Sequence, residues 1–180
     1  MKQIDFNIFK KKYDIQVRFV TESDVPFILK LRTDPELSRH LHKTENNIEQ
    51  QIQWIREYKK REAAGEDYYF HYSRDNIEIG VNRIYDIETD RATGGSWICE
   101  KKLPMELPVL SLIIIREIMF EQLNLQYDCF DVRKDNKKVI KTHLLFGAEK
   151  TGEDDFNNYY ILTKENFYRN RNKILGILNI

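Results

Sequence analysis

Apolar and polar side chains alternate at Ile15, Val17 and Phe19, with Gln16 and Arg18 between them, and this period of two predicts a strand. Upstream, Ile4, Phe6 and Ile8 alternate in the same way before Lys10-Lys11-Lys12, which predicts a short edge strand closed by a basic turn. Thr21-Glu22-Ser23-Asp24 offers helix-capping side chains. Val25 to Arg32 then reads as a short helix stopped near Asp34-Pro35. A longer helix is expected from Asn47 to Ala64, ended by Gly65. Ile48, Ile52, Ile55 and Tyr58 form its apolar face, with Trp54 alongside.

Three strands follow: Tyr68 to Ser73, Ile77 to Tyr85 and Ser96 to Cys99. They are separated by the turn residues Arg74-Asp75-Asn76 and by the polar stretch Thr89 to Gly94. Together they predict an antiparallel meander. Glu100 to Pro108 reads as a loop. Val109 to Leu123 is apolar on nearly every face, so it is expected to be a buried central helix with Pro108 at its first position. Tyr127 to Val132 is a strand. Asp135-Asn136 caps a helix that runs to Phe146 and ends at Gly147. Two short strands, Ala148 to Thr151 and Tyr159 to Leu162, precede a final amphipathic helix starting at Thr163 and carrying Phe167, Ile174, Leu175 and Leu178. This order predicts a mixed α/β (α+β) domain built on one central sheet.

Composition narrows the function classes. The chain has 180 residues, which suits one domain: a core over 15–165, an N-terminal extension over 1–14 and a C-terminal helix over 163–180. Twenty-nine basic and 29 acidic residues cancel, so the chain lacks the basic excess of a nucleic-acid binder. The longest apolar run, Leu112 to Ile115, is far too short to span a membrane. The N-terminus shows no apolar signal-peptide region, and a cytoplasmic protein is expected. Cys99 and Cys129 have no CxxC or metal-ligand spacing and are expected to be buried, reduced thiols. The histidines His40, His42, His71 and His143 complete no metal-ligand set, so no metal is expected.

Several segments resemble the GNAT acetyltransferase family. Val17-Arg18-Phe19-Val20-Thr21-Glu22-Ser23-Asp24 resembles the family's first strand and its approach to the first helix. Leu31-Arg32-Thr33-Asp34-Pro35-Glu36-Leu37 resembles the loop between its first two helices. Ile79-Gly80-Val81 and Gly95-Ser96-Trp97-Ile98 are similar to its third and fourth strands. Asn136-Lys137-Lys138-Val139 through Leu145-Phe146-Gly147-Ala148 resembles the Asn-started helix that closes on a Gly-Phe pair. Asn and Gly keep their spacing of eleven residues, but Ala148 stands where the aromatic would be.

The resemblance implies a GNAT-like fold, mostly antiparallel and flanked by helices, with the sheet splayed between strands 4 and 5. That gap would admit the pantetheine arm of acetyl-CoA, the acyl donor. Backbone groups of Trp97, Ile98 and Cys99 would pair with the arm. The start of the next helix, at Val109, Leu110 and Ser111, would receive the pyrophosphate, since helix N-termini bind phosphate. One departure stands out. The family's glycine-rich phosphate loop is replaced by Lys102-Leu103-Pro104-Met105-Glu106-Leu107-Pro108-Val109, which contains no glycine. An inactive, non-catalytic binding module of the same fold therefore stays open.

The resemblance also implies catalytic positions. The family's thiolate-protonating Tyr lies seven residues after the helix-starting Asn, and that position is His143 here. Imidazole can donate a proton near neutral pH; a packed, structural His is the other reading. Asn136 would bond the donor's arm or merely cap its helix. Lys141 would reach CoA phosphates or belong to a solvated face with Lys137 and Lys138. Asp86 and Glu100 follow the third and fourth strands and are the candidate bases for the amine proton. Trp97, Tyr85 and Trp54 are candidates to line an acceptor pocket. The expected reaction is N-acetylation of a small-molecule amine by direct attack. The stretch from Asp131 to Lys141 with His143 is similar to acetyltransferases of surface-polysaccharide pathways, which suggests an amino sugar or a nucleotide-linked amino sugar. Ribosomal-protein and aminoglycoside acetylation stay open, as does a homodimer; nucleic-acid and membrane partners are not expected.

Overall fold

A computed structural model describes residues 3–180; Met1 and Lys2 of the N-terminal extension lie outside the described residues. The strands are β1 (Gln16–Phe19), β2 (Tyr68–Arg74), β3 (Ile77–Tyr85), β4 (Arg91–Cys99), β5 (Tyr127–Arg133), β6 (Glu149–Glu153) and β7 (Asn157–Thr163). The helices are α1 (Asn7–Tyr13), α2 (Val25–Thr33), α3 (Ile48–Ala64), α4 (Glu106–Glu117), α5 (Lys137–Leu145) and α6 (Lys164–Leu178). The strands form one sheet in the order β1-β2-β3-β4-β5-β7-β6. All neighbours run antiparallel except β4 and β5, which are parallel.

Strand alternation divides the core between two faces of the sheet. Tyr68, Phe70 and Tyr72 pack into the larger core with Phe9 and Tyr13 of α1, the apolar side of α4 and Phe167 of α6. Tyr69, one residue out of phase, packs on the other face with Val25, Ile28 and Leu31 of α2 and Ile55 and Tyr58 of α3. Local signals set the ends of these elements. The Asn47 side chain accepts from Gln50 N (2.9 Å) to cap α3, and Gly65 closes it at φ 79°. Asp75 and Asn76, at φ 48° and 65°, turn β2 into β3. Thr163 Oγ1 accepts from Asn166 N (3.0 Å) to start α6.

The structure corrects the pattern in three places. The expected N-terminal edge strand is instead α1. Its buried residues are Phe9 and Tyr13, four apart, while Ile8 is exposed, so helical spacing and not alternation matches the burial. The polar stretch read as a turn belongs largely to β4, which begins at Arg91. The glycines there mark close approach and not a reversal: a Cβ on Gly95 would sit 2.7 Å from Tyr85 Oη. The central helix starts at Glu106, earlier than Val109. Pro108 still falls in the first turn, where its missing N–H is not needed. Past Glu117 the chain widens into a π-helical turn, Ile118–Gln122.

Two irregularities shape the middle of the sheet. Val81 pairs with Ile98, but Arg83 pairs with Gly95, so Ser96 and Trp97 together oppose Asn82 in a bulge, with Ser96 at φ 52°. Bulges bend and twist a strand. On its other edge, β4 pairs with β5 only at Arg91–Tyr127 and Ala92–Asp128. From there the two strands separate, as the expected opening between strands 4 and 5 requires.

Where β3 crosses the end of β4 the backbones nearly touch. A Cβ on Gly80 would lie 2.4 Å from Ile98 O and 2.8 Å from the Cys99 Cα. Gly80→Ala is therefore expected to destabilise the fold by about 2 kcal/mol through forced overpacking, measurable as a lower urea midpoint with an unchanged m-value.

Candidate active site

The gap between β4 and β5 opens into a cleft of about 410 Å³. That volume lies in the range of small-ligand sites. One wall is β4, with Thr93, Gly94, Gly95, Ser96 and Trp97; the other is β5, with Phe130, Asp131, Val132 and Arg133. Its floor includes Leu112, Ile115 and Arg116 of α4, and α5 adds Asn136, Val139 and His143. The 34–47 segment between α2 and α3 overhangs the mouth with Arg39, His40, His42 and Lys43.

Asp128 ends the paired stretch of β5. Its Oδ1 accepts from the Gly94 N–H (2.9 Å) and its Oδ2 from Arg116 Nε (3.1 Å). Both side chains are about 1% exposed. Burial pushes the Asp128 carboxyl up and the Arg116 guanidinium down; their attraction and the Gly94 bond oppose those shifts. Arg116 Nη2 also donates to His143 Nδ1 at 2.9 Å, while Nη1 has no partner among the described residues. His143 is buried against Phe130, with ring centroids 4.3 Å apart. Burial first, and then the Arg116 charge, hold its imidazolium form well below the usual histidine range. The ring is neutral at neutral pH.

Tyr85, Trp97, Asn136 and His143 all line this cleft. Trp97 Nε1 donates to Ser111 Oγ (3.0 Å), and Asn136 Oδ1 caps α5 by accepting from Val139 N (3.4 Å). The remaining candidates lie elsewhere. Ile98 packs between β4 and α2–α3, Leu110 is in the larger core, and Ser111 is buried with its hydroxyl donating to Pro108 O (2.8 Å). Because α4 starts at Glu106, Leu110 and Ser111 stand beyond its first turn, where N–H groups are already used. Val109 closes that turn. Lys141 is exposed on α5, outside the cleft lining. Asp86 borders a separate hollow with Glu88 and Arg91. Glu100 is held by Lys30 and the Lys101 N–H, which keep its carboxyl below the usual range. Burial pushes the Cys99 thiol up to about 12.

The residues the sequence reading passed over are Arg116, Asp128, Asp131 and the basic overhang. A usable signal existed for the first. Arg116 stands in a helix apolar on nearly every face, and a buried guanidinium needs a buried acceptor. The overhang had no such signal, since Arg32 and Lys43 reach Arg133 only through the fold.

The arrangement fits a thioester donor with a long polar arm. The gap leaves the β5-facing edge of β4 without a strand partner beyond Ala92, and the first turn of α4 lies past its end. Beside that turn Lys102 is exposed and forms no ion pair among the described residues. Lys101 is occupied by Asp34 (2.8 Å) and Glu36 (2.6 Å). Lys102 is thus the unpaired cation beside the helix start, and no glycine cradle accompanies it.

Residues 14–149 match the acetyltransferase (GNAT) domain family. Among solved structures, apo FdhC, a nucleotide-linked sugar GNAT, is 36% identical; the match covers 89% of this chain and 92% of FdhC, with a TM-score of 0.81. The N-acetyltransferase PseH of Campylobacter jejuni is 19% identical over 83% of this chain and 98% of its own, with a TM-score of 0.66. The ribosomal-protein-S5-alanine acetyltransferase of Vibrio fischeri is 15% identical over 92% of this chain and 97% of its own, at 0.73. No curated protein matches. Family match, sheet opening and cleft agree: the chain belongs to the GNAT acetyltransferases.

Proposed function

We propose that this chain transfers the acetyl group of acetyl-CoA to the amine of a nucleotide-linked amino sugar. The observation that carries the acceptor class is the charge at the cleft mouth. Arg32, Arg39, Lys43 and Arg133 line it, and none has a carboxylate partner among the described residues. In a chain of zero net charge, most other arginines are paired: Arg18 with Asp24, Arg56 with Glu22, Arg83 with Asp67. Unpaired guanidinium groups converging on one cleft suit a phosphate-bearing ligand. The similarity to FdhC, a nucleotide-linked sugar GNAT, supports the same class. His40 is tied to Asp135 at 3.3 Å, which anchors the overhang to the start of α5 and keeps the cations over the cleft.

The chemistry is direct attack. The amine nitrogen adds to the thioester carbonyl, the C–S bond breaks, and the products are the acetamide and free thiol. Asp131 is exposed on the β5 wall and sits close enough to Tyr85 to help raise its phenol, after burial. It is the carboxylate in the cleft placed to take the amine's proton, directly or through water; the departing sulfur is protonated from solvent. Cys99 does not carry the acetyl group. Its thiol is protonated near neutral pH and lies outside the cleft lining.

Two outcomes check this reading. A screen of amino sugars with and without a nucleotide, read by free-thiol release, should show turnover with the nucleotide-linked forms. The double variant Arg32→Ala/Lys43→Ala should raise KM for that acceptor about tenfold, as expected when charge-assisted bonds are lost, without changing acetyl-CoA binding by calorimetry. Equal KM for the bare sugar and its nucleotide form would rule out the phosphate reading. Separately, iodoacetamide at pH 8 should label Cys99 at least ~100-fold more slowly in the folded chain than in urea, as followed by peptide mapping. Cys99→Ala should keep its turnover.

A further inference from the structure

Arg116 is a polar intrusion into an apolar helix. Its guanidinium offers only donors. One edge meets Asp128 and another meets His143 Nδ1 at 2.9 Å. A ring nitrogen facing an N–H donor must accept. A neutral imidazole has one acceptor and one N–H, so its proton lies on Nε2. The ring's hydrogen bond to Arg116 uses Nδ1, which leaves Nε2 for a ligand, and His143 lines the cleft. Asp128 reaches the ring only through Arg116, and from β5 the ring meets the apolar face of Phe130. The charge that bears on the ring is therefore a cation, which opposes protonation.

We propose that Arg116 is a positioning residue that fixes His143 in its neutral form with the proton on Nε2, and that this N–H acts as a stationary hydrogen-bond donor to the thioester oxygen, not as an acid for the sulfur. The inference rests on acetyl transfer taking place in this cleft. As the C–N bond forms, the carbonyl π pair moves onto oxygen, where the Nε2–H meets it. The pair returns as the C–S bond breaks, and the bonding electrons leave on sulfur. The nitrogen's proton goes to Asp131 or water, and His143 keeps its own. Giving it up would leave an imidazolate, a far stronger base than the thiolate it would protonate. A fixed donor aimed where charge develops needs no rearrangement during the reaction, and a neutral histidine is suited to polarise a carbonyl in this way.

The two roles separate in a pair of variants. His143→Gln keeps an N–H donor that cannot ionise, and His143→Ala removes it. The expected result is a kcat loss of about 10²–10³ for Ala, a loss within about tenfold for Gln, and an unchanged KM for acetyl-CoA in both. Equal losses in Gln and Ala would overturn the donor role. The tautomer is read without any substrate by ¹⁵N NMR of the histidines in the free protein. His143 should show a bare Nδ1 and a protonated Nε2 from pH 5.5 to 8. An imidazolium signal in that range, or a proton on Nδ1, overturns the proposal. In Arg116→Gln/Asp128→Asn, which removes both charges together, the His143 pKa should rise above its wild-type position while staying below the ordinary histidine range, because the ring remains buried, and kcat should fall off at acidic pH where the ring ionises. Should that variant not fold, the wild-type spectrum still decides. A wrong acceptor class would leave this spectrum unchanged, so the two readings fail separately.

Discussion

The ladder between β4 and β5 ends on a side chain. After Ala92 pairs with Asp128, the next β4 donor at this seam, the Gly94 N–H, bonds the Asp128 carboxylate in place of β5 backbone. Arg116, reaching up from α4, holds that carboxylate in turn. A parallel pair of strands would otherwise zip on along β4. A buried charged side chain in the gap satisfies the donor and keeps the strands apart. Removing one member of such a pair leaves a charge unmatched in the interior, which typically costs about 3–5 kcal/mol. The cleft therefore follows from an electrostatic closure at one point, reinforced by the bulge at Ser96–Trp97 on the opposite edge of β4.

Charge is distributed with the same economy. Over the chain the two signs cancel, yet cations gather unpaired at the cleft mouth while acids are matched elsewhere. Buried Glu117, on the far side of α4 from this chemistry, gathers Lys12, Tyr13 and Arg171 and so ties α1 and α6 to the central helix. One helix thus carries two adjacent buried charges with different duties. Arg116 faces the opening and Glu117 faces the terminal helices.

Most of the fold was legible in the sequence because its signals are local. Asn47 with Gly65, Asp75-Asn76, Asn136 with Gly147, and Thr163 each act within a few residues, and each begins or ends an element where expected. The failures came where tertiary contact overrode local pattern. α1 alternates on paper but buries Phe9 and Tyr13, and Gly94-Gly95 imitates a turn because Asp128 and Tyr85 leave no room for a Cβ. The site was legible only in part. Trp97, Asn136 and His143 meet in the cleft, whereas Asp86 and Glu100 lie outside it because strand ends that are close in sequence point away from the opening. The cations of residues 32–43 and Arg133 are about a hundred positions apart and are joined only by the fold.

The Arg116–Asp128 pair serves the opening of the sheet and the state of His143 with the same atoms. Stability alone would not preserve it, since a well-packed apolar replacement of a buried ion pair is often neutral or stabilising. An apolar pair would satisfy neither the Gly94 N–H nor the Nδ1 of His143. The ring would then be free to bind a proton or to reverse its tautomer, and the donor facing the cleft would become one of several states. The desolvation that burdens the pair is thus also what makes the imidazole single-valued. A solvated Arg would be screened, and its effect on a neighbouring ring would fade across a shell of water. Burial keeps the cation's influence short, directed and undiluted.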